Sequence, residues 1–315
     1  MTATPPPALL PQGFADLLPP EAGGQASAVA AAMEVFARFG YAQVKPPLAE
    51  FEDTLLAPGP GAAMAAQTFR FMDPASRRMM ALRADITPQI ARIAATRLAG
   101  APRPLRLSYA NDALRVDGLG APRQVTQIGC ECIGSGQIVE LALLAVLAAR
   151  AMGAGAVTLD VTLPGRIGTQ VSEVSNALAQ RDRARVAALA PDLLPLLDAC
   201  GPLAGFSDLA PLYADLTEAL AAYDLDEVAL TVDPVEQRGF EYHEGLAFAL
   251  FAESGEVGRG GRYRLPGGEV AAGMTLYVEQ VMAAAPPPPP VREPEVCGSW
   301  AAARAAQDAG RAAVT

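Results

Sequence analysis

Positively charged residues and histidine are scarce in this sequence. Its 315 residues include one histidine and 24 Lys and Arg against 34 Asp and Glu, which gives a formal net charge of −10. Lys45 is the one lysine, and no basic run exceeds the pair Arg77–Arg78. Because the neutralisation of phosphates supplies much of the affinity for DNA and RNA, this composition disfavours a nucleic-acid-binding protein.

Cysteine and long apolar runs are also scarce. Cys130 and Cys132 lie on one face of a predicted strand, Cys200 and Cys297 are isolated, and no CxxC pair occurs. This spacing is typical of packed thiols rather than of metal ligands. There is no basic N-terminal region before an apolar stretch, and no apolar run is long enough to span a bilayer. We therefore expect a cytoplasmic protein with no membrane segment, metal or cofactor.

The composition is that of a folded chain, with 51% hydrophobic and 18% charged residues. Antiparallel strand signals separated by helices predict an α+β protein, with an antiparallel sheet flanked by helices. We expect a disordered Pro-rich segment at 1–12 and a core at 13–285 that contains a helical insertion at 166–226. Residues 286–315 are expected to form a Pro-rich linker and a small βαβ segment.

Four local patterns predict individual elements. Apolar periodicity predicts a helix over Ser27–Phe39. Thr87, followed by Pro88, is predicted to be the N-cap of a second helix. A strand is predicted over Gly239–Phe251, and the Gly-rich stretch Gly258–Tyr263 is predicted to be a turn.

The stretch Leu114–Ile133 predicts a hairpin with one polar face. In an extended chain, residues two apart share a face, so Gln127, Gly129 and Glu131 point one way. Ile128 and its alternating neighbours point to the other side, which has the composition of a core. The polar face is either a solvated surface or the floor of a polar pocket.

Three further strand segments carry polar pairs, namely Arg83 with Asp85, Arg115 with Asp117, and Arg238 with Tyr242. Together with the hairpin they suggest a site for a small zwitterionic ligand, in which guanidinium meets carboxylate and acids meet an ammonium or imidazole. The alternative for each residue is a structural ion pair within the sheet.

Several motifs, in order, resemble histidyl-tRNA synthetase and cover roughly residues 12–282. GYAQVKPPLAE resembles motif 1 of the class II aminoacyl-tRNA synthetases. LRADIT, LRVD and QVTQIGCE resemble the catalytic-core segments, including motif 2. RGFEYHEG resembles the histidine-specific segment, and GRGGRY resembles the glycine turn of that enzyme. The resemblance implies a class II synthetase-like fold that dimerises through the motif 1 region.

The departures from the synthetase pattern indicate a paralogue that has lost aminoacylation. Gln280 stands where the synthetase carries an ATP-engaging arginine, and the loop from Arg115 to Arg123 is about two residues shorter than the synthetase pattern. We expect no anticodon-binding domain, because the chain stops after the βαβ segment. This pattern resembles the family of regulatory subunits of ATP phosphoribosyltransferase, the first enzyme of histidine biosynthesis. Membership implies a non-catalytic protein that assembles with the short catalytic subunit, is required for its activity and is implicated in feedback by histidine.

The resemblance also implies a histidine pocket. Glu131 would accept a hydrogen bond from an imidazole N–H, and Arg238 would face the carboxylate. Asp85 stands where the synthetase has Glu, and His243 is expected to fill space rather than to act as a general base. The residues that fall on pocket positions or beside them are Asp85, Thr87, Arg115, Gln127, Glu131, Arg238, Tyr242 and His243.

Two other functions stay open from the sequence. One is a class II-type ligase that activates an amino acid for an acceptor other than tRNA, with Arg115 holding the α-phosphate. The other is a scaffold whose pocket has decayed.

Overall fold

A nine-stranded sheet forms the centre of the molecule. The structure is a computed structural model, and it describes residues 10–116, 122–163, 172–236 and 242–315. The sheet has the strand order β1-β5-β6-β12-β11-β10-β7-β9-β8. Its strands are β1 (Ala42–Gln43), β5 (Leu105–Leu114), β6 (Gln124–Ile133), β7 (Thr158–Thr162), β8 (Gly201–Pro202), β9 (Ala229–Val232), β10 (Ala247–Ala252), β11 (Gly255–Arg264) and β12 (Val270–Tyr277).

The sheet is antiparallel from β5 through β7, as predicted. Parallel pairs, β1 with β5 and β7 with β9, lie outside this antiparallel centre. The described helices are α1 (Glu21–Arg38), α2 (Glu52–Leu55), α3 (Pro60–Ala63), α4 (Thr87–Ala95), α5 (Ile138–Ala151), α6 (Ser172–Ala179), α7 (Arg183–Leu189), α8 (Ala210–Ala221), α9 (Val278–Ala283) and α10 (Trp300–Asp308). Within the described residues, no helix is long and apolar enough to cross a membrane.

One face of the central sheet carries the main hydrophobic core. Ile128, Cys130 and Cys132 of β6 point into it, where they pack in one cluster with buried side chains of α1 and α5. Burial of apolar surface on this scale is the dominant favourable contribution to folding. The predicted alternation along β6 is therefore confirmed, as is the packed role of the two cysteines.

Helix α4 packs on the opposite face of the sheet. A small second sheet is joined to the end of β5, where the N–H of Leu114 donates to the carbonyl oxygen of Arg83. That sheet has the order β2-β4-β3, formed by β2 (Ala49–Phe51), β3 (Arg70–Met72) and β4 (Met79–Leu82). Ile86 and Ile90 pack with Leu107 and Tyr109 of β5. This packing holds the segment between β4 and α4 against the polar side of β6, where the N–H of Ile86 donates to Oε1 of Gln127.

Two of the local predictions are wrong, and both have a steric or hydrogen-bonding cause. The Gly258–Tyr263 stretch is not a turn but lies inside β11. A Cβ atom at Gly260 would lie 2.6 Å from the carbonyl oxygen of Gly273 on the next strand, so glycine here allows close strand packing. Thr87 is not the N-cap, because α4 begins at Thr87 itself and the carboxylate of Asp85 accepts its backbone N–H at 2.9 Å.

The predicted strand over Gly239–Phe251 is shorter in the structure. Residues 237–241 lie outside the described residues, and β10 begins only at Ala247. Tyr242 and His243 therefore precede the strand rather than lie within it.

The segment predicted as a helical insertion contributes to two hydrophobic clusters. Val174, Leu178 and Val186 form a cluster of their own, whereas Leu216 and Leu220 of α8 pack into the main core. At the C-terminal end, β13 (Glu295–Val296) and β14 (Ala313–Val314) pair in parallel on either side of α10 in the sequence. The domain boundaries stay predictions.

Arg83 ties the small sheet to the central sheet. Arg83 is 4% exposed as a residue, and its guanidinium donates to the carbonyl oxygens of Asp112 at 2.6 Å, Pro46 at 3.0 Å and Pro47 at 3.1 Å. The sequence pattern placed Arg83 on the same face as Asp85. In the structure its guanidinium instead donates to three backbone carbonyl groups, of which that of Pro46 is in a buried hydrogen bond. A buried carbonyl without a donor carries a desolvation cost.

We expect Arg83→Met to lower the free energy of unfolding by about 3 kcal/mol, because it removes the donor of three backbone carbonyls, one of them in a buried hydrogen bond. The control is Arg78→Met, which removes an exposed arginine paired with Asp53 and should cost about 1 kcal/mol or less. Urea unfolding of both variants measures the difference, and equal losses would contradict the assigned role of Arg83.

Candidate functional site

A cavity of about 220 Å³ lies on the polar side of the central sheet. This volume is below the roughly 300–1,000 Å³ of clefts that take drug-sized ligands, so the cavity suits a small molecule. Its floor is formed by β6, β12 and β11. The lining residues are Met64, Gln67, Asp85, Thr87, Arg115, Glu131, Tyr242, His243, Arg259, Gly260, Tyr263, Gly273, Met274, Thr275 and Tyr277.

The strand register sets polar side chains beside glycines on this floor. Glu131 of β6 lies opposite Gly273 of β12, which lies opposite Gly261 of β11. In the next row, Gly129 lies opposite Thr275, which lies opposite Arg259. The glycines leave room for long polar side chains to lie over the sheet.

Glu131 is the most deeply buried acid of the cavity, at 1% exposure. Its carboxyl accepts one hydrogen bond from the hydroxyl of Tyr263 and one from the hydroxyl of Thr87, each at 2.9 Å. No Lys, Arg or His among the described residues forms an ion pair with it. Burial raises the pKa of Glu131 from 4.5 to about 8, against the opposing effect of the two hydroxyl hydrogen bonds. A buried acid without a cation is well suited to receive an N–H group of a ligand.

Gly273 is required for this position of the carboxyl. A Cβ atom at Gly273 would lie 1.6 Å from Oε2 of Glu131 and 2.3 Å from its Cδ. On the neighbouring row, a Cβ atom at Gly129 would lie 2.6 Å from the hydroxyl oxygen of Tyr109. That hydroxyl is buried and lies 2.7 Å from Oγ1 of Thr275.

Asp85 and Gln127 form a fixed pair beside Glu131. Oδ2 of Asp85 accepts from Nε2 of Gln127 at 3.0 Å, and Oε1 of Gln127 accepts from the backbone N–H of Ile86 at 3.2 Å. Asp85 lines the cavity, whereas Gln127 is fully buried behind it. Gln127 therefore positions the acid and is not among the lining residues.

Another part of the lining carries positive charge. The guanidinium of Arg115 lies 5.6 Å from the ring centre of Tyr277, and its Nε donates to the carbonyl oxygen of Ala84 at 3.2 Å. Arg259 lines the same cavity and forms a bidentate pair with Glu256, with distances of 2.7 and 2.8 Å. The cavity thus combines buried acids with two guanidinium groups.

Aromatic rings form the wall beside the acids. The rings of Tyr242 and His243 stack at 4.3 Å, and Tyr242 meets Tyr263 edge to face at 5.9 Å. Burial and the charge of Arg259 lower the pKa of His243 to about 3, so the imidazole is neutral. Its neutral state and its stacking agree with the predicted packing role.

Six of the eight predicted site residues line the cavity, namely Asp85, Thr87, Arg115, Glu131, Tyr242 and His243. Gln127 lies behind the cavity, and Arg238 lies outside the described residues, as do Asp117 and most of the loop between Arg115 and Arg123. Gln280 lies in α9 and is not among the lining residues. In the part of the chain that the structure describes, no cluster of His, Cys, Asp and Glu could hold a metal ion.

Sequence reasoning missed Arg259, Tyr263, Thr275 and Tyr277. A signal for two of them is present, because Arg259, Gly261 and Tyr263 repeat the polar–glycine–polar alternation of Gln127, Gly129 and Glu131. Predicting a turn from the glycines of β11 conceals this alternation.

The fold and cavity define a class II aminoacyl-tRNA synthetase-like core. Residues 13–281 match the histidyl-tRNA synthetase family. A relative from Paramagnetospirillum magneticum named ATP phosphoribosyltransferase regulatory subunit is 47% identical, in an alignment that covers 88% of this chain and 82% of the relative.

Solved structures show the same fold. An ATP phosphoribosyltransferase regulatory subunit/histidyl-tRNA synthetase from Bacillus halodurans has a TM-score of 0.83 and 20% identity, covering 99% of this chain and 93% of that chain. A chain of an ATP phosphoribosyltransferase complex from Thermotoga maritima has a TM-score of 0.60 and 16% identity, covering 81% of this chain and 97% of that chain.

The chain therefore belongs to the histidyl-tRNA synthetase-like family and, within it, to the ATP phosphoribosyltransferase regulatory subunits. The predicted α+β synthetase-like fold is confirmed. So is the expectation of a non-catalytic subunit, which follows from membership of the family.

The raised pKa of Glu131 predicts a pH-dependent stability that Glu131→Gln removes. The unfolded carboxyl loses its proton near pH 4.5, whereas the folded one keeps its proton up to about pH 8. Rising pH within this window therefore favours unfolding, by up to about 1.4 kcal/mol per pH unit.

Denaturant unfolding of the wild type and Glu131→Gln at pH 6, 7 and 8 measures this effect. We expect the variant to gain stability relative to the wild type at each step. A constant difference across this range would contradict a protonated Glu131.

Proposed function

We propose that this chain binds histidine in the cavity and uses it for feedback control of a short catalytic subunit of ATP phosphoribosyltransferase. The observation that carries the proposal is the buried carboxyl of Glu131, whose described partners are hydroxyl groups alone. An imidazole N–H supplies the donor that such an acid favours. The stacked rings of Tyr242 and His243 add a flat wall for the imidazole.

The charged groups of the cavity match the remainder of a zwitterionic amino acid. Asp85 is held by Gln127 and offers a carboxylate for the α-ammonium. Arg115 offers a guanidinium for the α-carboxylate, and Arg238 is proposed for the same group on the basis of family resemblance. The cavity volume of about 220 Å³ favours one small ligand over an amino acid together with a nucleotide.

We also propose that the chain does not aminoacylate tRNA. Gln280 replaces the arginine that engages ATP in histidyl-tRNA synthetases, and its amide does not line the cavity. The ring of Tyr277 lies beside Arg115 and takes up space there. The net charge of −10 is unfavourable for a partner as negatively charged as tRNA.

Two associations belong to the proposal. The catalytic subunit is the partner, supported by the names of the close relatives and by the complex from Thermotoga maritima. Self-association as a dimer is assigned to the motif 1 region, α1 and β1, because β1 is the terminal strand of the central sheet. Cytoplasmic localisation is proposed with them.

Activity assays with the catalytic subunit test the central proposal. We expect the chain to copurify with that subunit and to raise its rate at least about tenfold, which corresponds to ~1.4 kcal/mol of barrier lowering. Added histidine should lower this rate. Glu131→Ala should preserve the activation but abolish the response to histidine, whereas the exposed control Glu253→Gln should preserve both.

The outcomes separate the alternatives. A catalytic subunit that is fully active alone and does not copurify with the chain would overturn the proposed partnership. If the chain activates the catalytic subunit but calorimetry shows no heat of histidine binding, the chain is a scaffold whose pocket has decayed.

ATP–pyrophosphate exchange distinguishes a regulatory subunit from an amino-acid-activating ligase. The purified chain with histidine and Mg-ATP should give no exchange above the no-enzyme background, because Gln280 and Tyr277 disfavour a bound nucleotide. A bona fide histidyl-tRNA synthetase in the same assay is the positive control. Measurable exchange by this chain would favour the ligase.

A further inference from the structure

We infer that Gln67 is a specificity-determining residue, whose side-chain amide donates a hydrogen bond to the α-carboxylate of the ligand beside Arg115. The inference rests on the proposed function, because it assigns a further contact within the same cavity. Gln67 lies at the end of a single 3-10 turn, Ala65–Gln67, which follows α3 in the sequence.

The backbone of this turn is fixed on both sides of Gln67. The N–H of Gln67 donates to the carbonyl oxygen of Met64 at 3.0 Å, and the same oxygen accepts from the hydroxyl of the buried Thr68 at 2.7 Å. The carbonyl oxygen of Gln67 accepts from the N–H of Val116 at 2.8 Å. Because both backbone groups of Gln67 are hydrogen-bonded, its side chain starts from a fixed point at the cavity wall.

The contact with Val116 sets Gln67 beside Arg115. Arg115 directly precedes Val116, and its Nε donates to the carbonyl oxygen of Ala84 at 3.2 Å, one residue before Asp85. Gln67, Arg115 and Asp85 all line the cavity. The side chain of Gln67 therefore shares the wall that is proposed to hold the charged main-chain groups of an amino acid.

The amide of Gln67 is available to a ligand. Gln67 is half-buried, and within the described ranges of the chain no residue forms a hydrogen bond with its side chain. Among the described lining residues it is the one that carries a side-chain amide, since Gln127 lies behind the cavity and is occupied by Asp85 and Ile86. A few polar groups placed in this way fix the orientation of a small ligand.

The charge beside Gln67 decides which end of its amide faces the ligand. An amide offers both an N–H donor and a carbonyl acceptor. A carboxylate that pairs with Arg115 attracts the N–H and repels the carbonyl oxygen, so Nε2 of Gln67 donates to it. The contact adds selectivity for an anionic group at the main-chain end of the ligand.

Calorimetry with two ligands tests the assignment. The probes are histidine and histidinol, in which a hydroxymethyl group replaces the carboxylate, and the wild type should prefer histidine. Gln67→Met removes the amide but keeps a side chain of similar length. It should weaken histidine binding about tenfold and histidinol binding less than about threefold, as expected for the loss of a hydrogen bond to a charged group.

Gln67→Glu tests the sign of the contact. It replaces the donor by a negative charge, so it should weaken histidine binding more than Gln67→Met does and should not weaken histidinol binding. Gln180→Glu is the matched control, because Gln180 is exposed and is not among the lining residues. Its binding of both ligands should match that of the wild type.

The outcomes distinguish the assignment of Gln67 from the proposed function. Stronger histidine binding by Gln67→Glu would place the amide oxygen on the α-ammonium and overturn the assignment to the carboxylate. Equal loss of both ligands in a folded Gln67→Met, or an unchanged preference, would also overturn it. Absence of histidine binding by the wild type would overturn the proposed function and this assignment together. Thermal melting of each variant identifies those that are folded.

Discussion

The structure depends on the burial of one carboxyl group, that of Glu131, against the central sheet. Glu131 belongs to a strand whose alternate side chains fill the apolar core, yet its own side chain is buried with hydroxyl partners. Burying a carboxyl is expensive unless it is neutral, hydrogen-bonded or given a cationic partner. Gly273 makes space for the group, and Tyr263 and Thr87 supply its hydrogen bonds. The rest of the cavity is built around this constraint.

The hairpin face was predictable because alternation along a strand is a geometric property. Once β6 was recognised as a strand, the sides taken by Glu131 and Cys130 followed. The resemblance to the synthetase family added six of the lining residues. Arg83 was misassigned because its local pattern is the same whether the guanidinium faces a ligand or three carbonyl groups.

The remaining errors arose where tertiary contacts overrode local preference. Glycines in β11 are required by the neighbouring strand rather than by a turn, which no single-strand pattern reveals. Thr87 has the sequence context of an N-cap, but its hydroxyl is used by Glu131 and the capping role passes to Asp85. Arg259 and Tyr277 were hidden for the same reason, since their proximity is a product of register between strands that are distant in sequence.

The two faces of the central sheet differ in the side chains that they carry. The face toward α1 and α5 holds the main apolar core, whereas the opposite face carries smaller apolar clusters beside the polar groups of the cavity. Substitutions that improve packing under α5 are therefore expected to change stability without altering the lining of the cavity. Substitutions on one face therefore place little constraint on those of the other face. Related chains can change the residues that line the cavity while they keep the same fold.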